Sequence, residues 1–340
     1  MGKKTDRSIL VFSADVILKQ LNAIQAEMNG VRQSEDIECV HRMRVASRRL
    51  RNGLSLFETC LPKKKVPEWQ RQIKAVTQAL GAARDTDVRI ELLNKFYDTH
   101  TEDKYRRGIG RLRLRLTQYR AGLQQKVIDL TNVLESHGTQ GEMTKKLQPL
   151  VEHLEQVYLF SPALYEIGFN SITSRLDAFL AYEEYVLKPE CIAELHAMRI
   201  CAKHLRYTLE VFEPLYREDV KNTIQLVRKI QDELGEIHDC DMWMGYLPKL
   251  LEKERQRTLK FYGHTEFFYR IIPGFQLFLQ DRQDSRNNEY QNFLQFWQVL
   301  KENETWRKLR ESIQIPFNLF LSQPTGSPVS TQPELPAALP

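Results

Sequence analysis

The sequence predicts an all-α, internally duplicated fold, and three observations carry that prediction. Apolar residues recur at helical spacing from near the N-terminus to beyond residue 300, the signature of amphipathic helices. The run from His41 to Phe57, HRMRVASRRLRNGLSLF, returns 155 residues later as His196 to Phe212, HAMRICAKHLRYTLEVF. A second pair, Leu80-Gly81 with Asp85-x-Asp87 and Leu234-Gly235 with Asp239-x-Asp241, follows at a shift of 154. Two separate segments repeated in the same order at nearly one spacing point to a duplicated unit.

The repeated run has two distinct faces. At about 100° per residue, His41, Arg44, Arg48 and Arg51 fall within an arc of about 80° and form one basic stripe with no acid inside it. Met43, Ala46, Leu50, Leu54 and Phe57 lie opposite, ready for a core. The second copy carries His196, Arg199, Lys203 and Arg206 at the same offsets, backed by Met198, Cys201, Leu205, Leu209 and Phe212. Each stripe extends about 15 Å, which suits a linear anion with repeated charge better than one small phosphate.

The remaining elements follow in order. Residues 8–29 read as an amphipathic helix on Ile9, Phe12, Val16, Ile17, Leu21 and Ile24, with Gly30 near its end. Ser34-Glu35-Asp36 opens the basic helix and Leu61-Pro62 closes it. Residues 68–80 form a third helix stopped at Gly81, and Asp85 caps the next. Residues 102–136 form one long helix; the alternating run RLRLRL at 111–116 sits in a proline-free stretch whose Leu112, Leu116, Tyr119 and Leu123 also make a helical seam. Arg107, Arg111 and Arg115 on it read as a solvated face. Gly138 to Gly141 breaks the chain before a further helix that runs to 160.

The second half repeats this plan with helices over 165–187, 190–213 and 219–234, then one from 239. An amphipathic helix over 285–311, with Phe293, Phe296, Trp297, Leu300, Trp306 and Leu309, closes it. The halves thus divide at 6–160 and 161–320, and five prolines between Pro324 and Pro340 mark a disordered tail over 321–340.

Composition sets bounds on function. With 340 residues and 42% hydrophobic content the chain can bury a large core, and a net charge of +5 is only mildly basic. Any argument for an anionic ligand therefore rests on where the cations sit. The first apolar stretch is short and interrupted by Asp15 and Lys19, and no window approaches eighteen consecutive apolar residues, so neither a signal peptide nor a membrane span is expected. Cys39, Cys60, Cys191, Cys201 and Cys240 are scattered, odd in number and form no C-x-x-C pair, as expected of reduced thiols in a cytosolic protein.

His41-x-x-Arg44 and His196-x-x-Arg199, each followed about forty residues later by Leu-Gly-x-x-x-Asp-x-Asp, resemble the two halves of a CHAD domain, the conserved-histidine α-helical domain, over roughly residues 6 to 320. The resemblance implies a pseudo-twofold pair of four-helix bundles whose basic residues line a groove that binds inorganic polyphosphate. Two departures stand out: Lys203 replaces the arginine of Arg48, losing the bidentate fork, and His238 stands where the first half has Arg84. Lys74 and its counterpart Arg228 on the third helices extend the expected binding wall. Histidine in such a wall gains a pH dependence, its pKa rising beside phosphate and falling among arginines.

Three function classes follow. The paired acid-free stripes favour a non-catalytic polyphosphate-binding module, with no catalytic residue, cofactor or metal, in the cytoplasm and associated with polyphosphate granules. A magnesium-dependent phosphohydrolase would use the Asp-x-Asp pairs, but these read better as helix caps with an ion pair to a stripe arginine. It would also be expected to carry the Glu-x-Glu-x-Lys signature of the CYTH triphosphatases that accompany CHAD domains, and the sequence has none. A nucleic-acid binder would interleave aromatic residues with the stripe for base stacking, and the stripe has none. Glu38-x-x-His41 resembles half of a di-iron ligand pair, but Ala193 stands at the matching position of the second half.

Overall fold

Helical periodicity is realised along the whole described chain. A computed structural model describes residues 6–33, 36–136, 138–152 and 161–321, with the side chains of 219 and 315–321 excepted. The first half contains α1 (Arg7–Gln33), α2 (Ile37–Leu56), α3 (Val66–Thr99), α4 (Asp103–Ser136) and α5 (Thr139–Val151). The second contains α6 (Pro162–Leu180), α7 (Ile192–Tyr216), α8 (Glu218–Tyr262), the single turn α9 (Glu266–Tyr269), α10 (Ile272–Glu302) and α11 (Thr305–Leu321). No strand occurs among the described residues. The predicted proline-rich tail, from 322 on, and the last residues, 153–160, of the helix predicted to run to 160 lie outside them.

The local signals work as expected at several ends. Asp36 caps α2 by accepting the Glu38 backbone N–H at 2.8 Å, and Ser161 caps α6 by accepting that of Leu164 at 3.2 Å. Gly263, at φ 76°, ends α8 with its N–H on the Leu259 carbonyl. The Leu-Gly stops do not occur. α3 runs through Gly81 and α8 through Gly235, so Asp85 and Asp239 lie inside continuous helices and cap nothing. Likewise the closing segment is two helices, α10 beginning at Ile272 and α11 at Thr305, parted by Glu304 at φ 50°.

The apolar face of each basic helix is buried as its spacing requires. Met43, Leu50, Leu54 and Phe57, and Met198, Leu205, Leu209 and Phe212, have no exposed surface, while Cys201 is only partly buried. Phe12, Phe57 and Phe212 meet with ring centroids about 6 Å apart, so the last apolar residue of each copy closes one shared core. α1 is by length and composition the one described helix able to cross a membrane. Here its apolar residues are spent on that core: Ile17, Leu21, Ile24 and Val31 have no exposed surface.

Packing between the halves joins three elements to their counterparts. α2 packs on α7, α4 on α10, and α1 touches α6, the pattern a twofold relation produces. A second, smaller core at the far ends of α3, α4, α8 and α10 contains Phe96, Leu112, Trp243 and Phe278. There α4 crosses α10 at Gly108 and Gly274, where a Cβ on Gly108 would lie 2.2 Å from the Ile271 carbonyl oxygen and 2.8 Å from the Gly274 Cα. Only backbone fits in that space. Gly108→Ala should therefore destabilise the protein by about 1–3 kcal/mol through overpacking, read as a lowered denaturant midpoint; an unchanged midpoint would refute the close crossing.

Arg111 and Arg115 do not form the solvated face predicted for them. Both reach Glu254 on α8, whose side chain is 1% exposed: Arg115 donates through two nitrogens at 2.6 and 3.0 Å and Arg111 through one at 3.3 Å. Arg257, one turn along α8, also donates to it.

A candidate anion-binding groove between the two basic helices

The two stripes, separate in sequence, meet where α2 packs on α7. Between these helices, α3 and α6 lies a cavity of about 650 Å³. From the predicted set, Arg48, Arg51, Lys74 and Lys203 line it, and Arg71 and Arg175 add two further cations. No carboxylate is among its lining residues. Among the described residues Arg71 alone of these cations is ion-paired, in a bidentate contact to Glu68 at 2.7 and 3.0 Å.

The crowding of cations shows in their ionisation. Burial first, then the positive charges of Arg199, Arg48 and Arg44, depress the Lys203 ammonium to about 7. Burial likewise lowers Arg48, with Arg44, Arg199 and Arg206 acting in the same direction. Arg48 and Arg206 both stand over the Tyr207 ring, at 5.4 and 4.9 Å from its centroid, a contact that eases their mutual proximity.

At the other end of the stripes the two halves repeat one arrangement. The Arg44 guanidinium lies over the helix backbone at Gly81, and that of Arg199 over Gly235, 3.5 and 3.4 Å from where a Cβ would stand. This explains the Leu-Gly pair: glycine leaves room for a guanidinium to cross the neighbouring helix, and anything longer than alanine would displace it. Arg44 then donates to Asp85 at 3.0 Å, and Asp239 faces Arg199. The second aspartate of each pair ties its helix to the next, Asp87 accepting from Arg120 at 2.7 Å and Asp241 from Arg286 at 2.6 Å. Asp85, Asp87 and Asp241 thus accept from arginines, and no group of three or more potential ligands converges for a metal among the described residues.

The histidines are held neutral. Burial, then nearby arginines, lower His41 and His196, whose Nδ1 atoms are buried without a hydrogen-bond partner. His196 stacks on His238 at 4.0 Å, and burial with that neighbour pushes His238 down to about 4. None of the three lines the cavity, nor do Arg44, Arg199 and Arg206 of the predicted set.

The groove is not symmetric. Glu210 occupies the position that Ser55 holds in the first half, 155 residues earlier. It accepts from Arg49 at 3.0 Å and lies 3.5 Å from Arg206, neutralising the face opposite the cavity. Arg228, counterpart of Lys74, does not line the cavity; it is exposed on α8, 4.0 Å from Asp232. The sequence comparison missed Arg175 because the matching residue of α1 is Gln20, so the repeat gave no signal there.

The model of the CHAD domain family matches residues 15–248. Among solved structures, the chain is similar to the CHAD domain from the plant Ricinus communis, with TM-score 0.56 and 20% identity over 94% of each chain. It is also similar to PptA from Streptomyces chartreusis, with TM-score 0.51 and 13% identity over 84% of this chain and 98% of that one. At these identities the likeness is one of fold. No curated protein matches the chain.

Proposed function

The chain belongs to the CHAD domain family, and on that premise we propose that it binds inorganic polyphosphate, without chemistry of its own, in the groove between α2 and α7. The observation that carries this reading is the lining itself: six cations, Arg48, Arg51, Arg71, Lys74, Arg175 and Lys203, with no acid among the lining residues. Such a wall repels itself, and an anion with closely repeated charge relieves that repulsion at several points at once. The aspartates that a metal-dependent hydrolase would use are turned toward arginines instead. The protein would act in the cytoplasm as a polyphosphate tether, held at polyphosphate granules.

Titration of the purified protein with polyphosphate across a salt series tests this, with pyrophosphate and single-stranded nucleic acid as competitors. Affinity should fall steeply with salt, as the released counterions of several neutralised phosphates require, and resist both competitors. Indifference to polyphosphate, or magnesium-dependent release of phosphate from it, would overturn the proposal.

Lys203 adds a pH signature. Below about 7 its ammonium is charged whether or not an anion is bound, so affinity should be flat there. Above that value the free protein has lost the proton, which binding must restore, so affinity should weaken by up to about tenfold per pH unit. Lys203→Met should flatten the profile above pH 7; a slope unchanged by this substitution would remove Lys203 from the site.

A further inference from the structure

A second cavity, of about 720 Å³, lies at the far end of the molecule, and apart from Arg111 and Arg115 its lining residues fall beyond the stretch matched by the family model. It is built where the halves differ. α8 has 45 residues against 34 in α3, its counterpart, an excess of about 16 Å of helix. That extension and α9 carry Leu259, Phe261, Tyr262, Phe267 and Tyr269, all exposed, Phe261 to 81%. Phe261 and Phe267 each stand under 5 Å from Tyr262, at 4.7 and 4.8 Å between centroids, and Arg270 lies 5.1 Å over the Phe267 ring. An aromatic platform left in water at this cost in apolar exposure marks a binding surface.

The other wall is cationic. Arg111, Arg115, Arg257 and Lys260 line the same cavity as Phe261, Tyr262 and Phe267. Buried Glu254 neutralises only one of these charges, and it fixes the three guanidiniums in place. Arg111 and Arg257 each donate to it through a single nitrogen, leaving further N–H groups for a ligand. Lys260 has no carboxylate within ion-pair distance among the described residues.

We propose that this distal cavity binds a nucleotide, its base stacked on Phe261 and Tyr262 and its phosphate held by Lys260 and Arg257. Planar stacking surface beside convergent cations is the combination that nucleotide units require, and the volume falls in the range of small-ligand sites. The polyphosphate groove lacks this pairing, since its lining aromatic, Tyr207, is covered by Arg48 and Arg206. A free nucleotide and the end of a single strand share the chemistry, and the test separates them.

The probe is ADP, titrated calorimetrically into the full chain carrying Arg48→Ala and Lys203→Ala, so that the groove does not contribute. Binding is expected, weakened about tenfold by Phe261→Ala or by Lys260→Ala, both exposed positions whose truncation leaves the helical circular dichroism unchanged. Adenosine, which lacks the phosphates, and tripolyphosphate, which lacks the base, should each bind less tightly than ADP. A short oligothymidylate that competes with ADP and binds tighter assigns the site to strand ends; one that binds more weakly assigns it to free nucleotides. No ADP binding at about millimolar concentration, insensitivity to both substitutions, tripolyphosphate as tight as ADP, or displacement of ADP by polyglutamate would each overturn the proposal, the last in favour of an acidic protein.

Discussion

Replacing Arg48 and Lys203 together by alanine is expected to weaken polyphosphate binding by at least about a hundredfold while leaving the helical circular dichroism intact. The two residues come from different copies of the stripe and line one cavity. Each charge-assisted contact is worth about 1.5–3 kcal/mol, so losing two would by itself approach a ten-thousandfold effect. Their removal also relieves repulsion among Arg44, Arg48, Arg199 and Lys203, which lowers the loss. The same relief means that the variant should be no less stable than the parent. Arg44 and Arg199 are weaker choices for this test, because Arg44 is already paired with Asp85 and each guanidinium is laid across a neighbouring helix. Arg228→Ala is the control, expected to change affinity less than about threefold because Arg228 stands outside the cavity beside Asp232. The slope of log affinity against log salt should fall by about two in the double variant. Equal affinity in parent and double variant would remove the groove as the binding site.

The stripes were legible because both physical requirements act through one helix. Offsets of 3, 4 and 7 residues put His41, Arg44, Arg48 and Arg51 on one side and Met43, Leu50 and Leu54 in the core, and tertiary context had only to accept them. What the sequence hid depends on contacts between helices. Gly81 and Gly235 look like helix ends, since glycine is the common C-cap, yet their lack of a side chain serves a guanidinium arriving from another helix. The helices run on because neighbouring packing outweighs the ~1 kcal/mol propensity cost of glycine. Arg175 and Glu210 break the repeat, so a comparison of halves necessarily passes over them. Arg111 and Arg115 show the same limit: no acid stands at helical spacing from them, and their carboxylate acceptor is more than a hundred residues away.

That acceptor supports the second large effect. Glu254→Gln should cost on the order of 3 kcal/mol of folding stability, the low end for breaking a buried ion pair. The carboxylate is 1% exposed and receives hydrogen bonds from Arg115, Arg111 and Arg257, whereas a glutamine amide would turn a donor toward donors. Arg111 and Arg257, 41% and 51% exposed, can swing to water, so the penalty falls mainly on Arg115 at 20%. The sign with pH follows from the same contacts. Burial alone would raise Glu254, but the hydrogen bonds from Arg115 and Arg257 outweigh it and hold the acid below its ordinary value of 4.5. Its stabilisation is therefore present above pH 4.5 and lost as pH falls through the lower, folded-state value. Denaturant curves of parent and Glu254→Gln should thus be far apart at pH 7 and draw together only as pH falls through that lower value. Curves that coincide at pH 7 would mean that the buried carboxylate is not what holds α4 to α8.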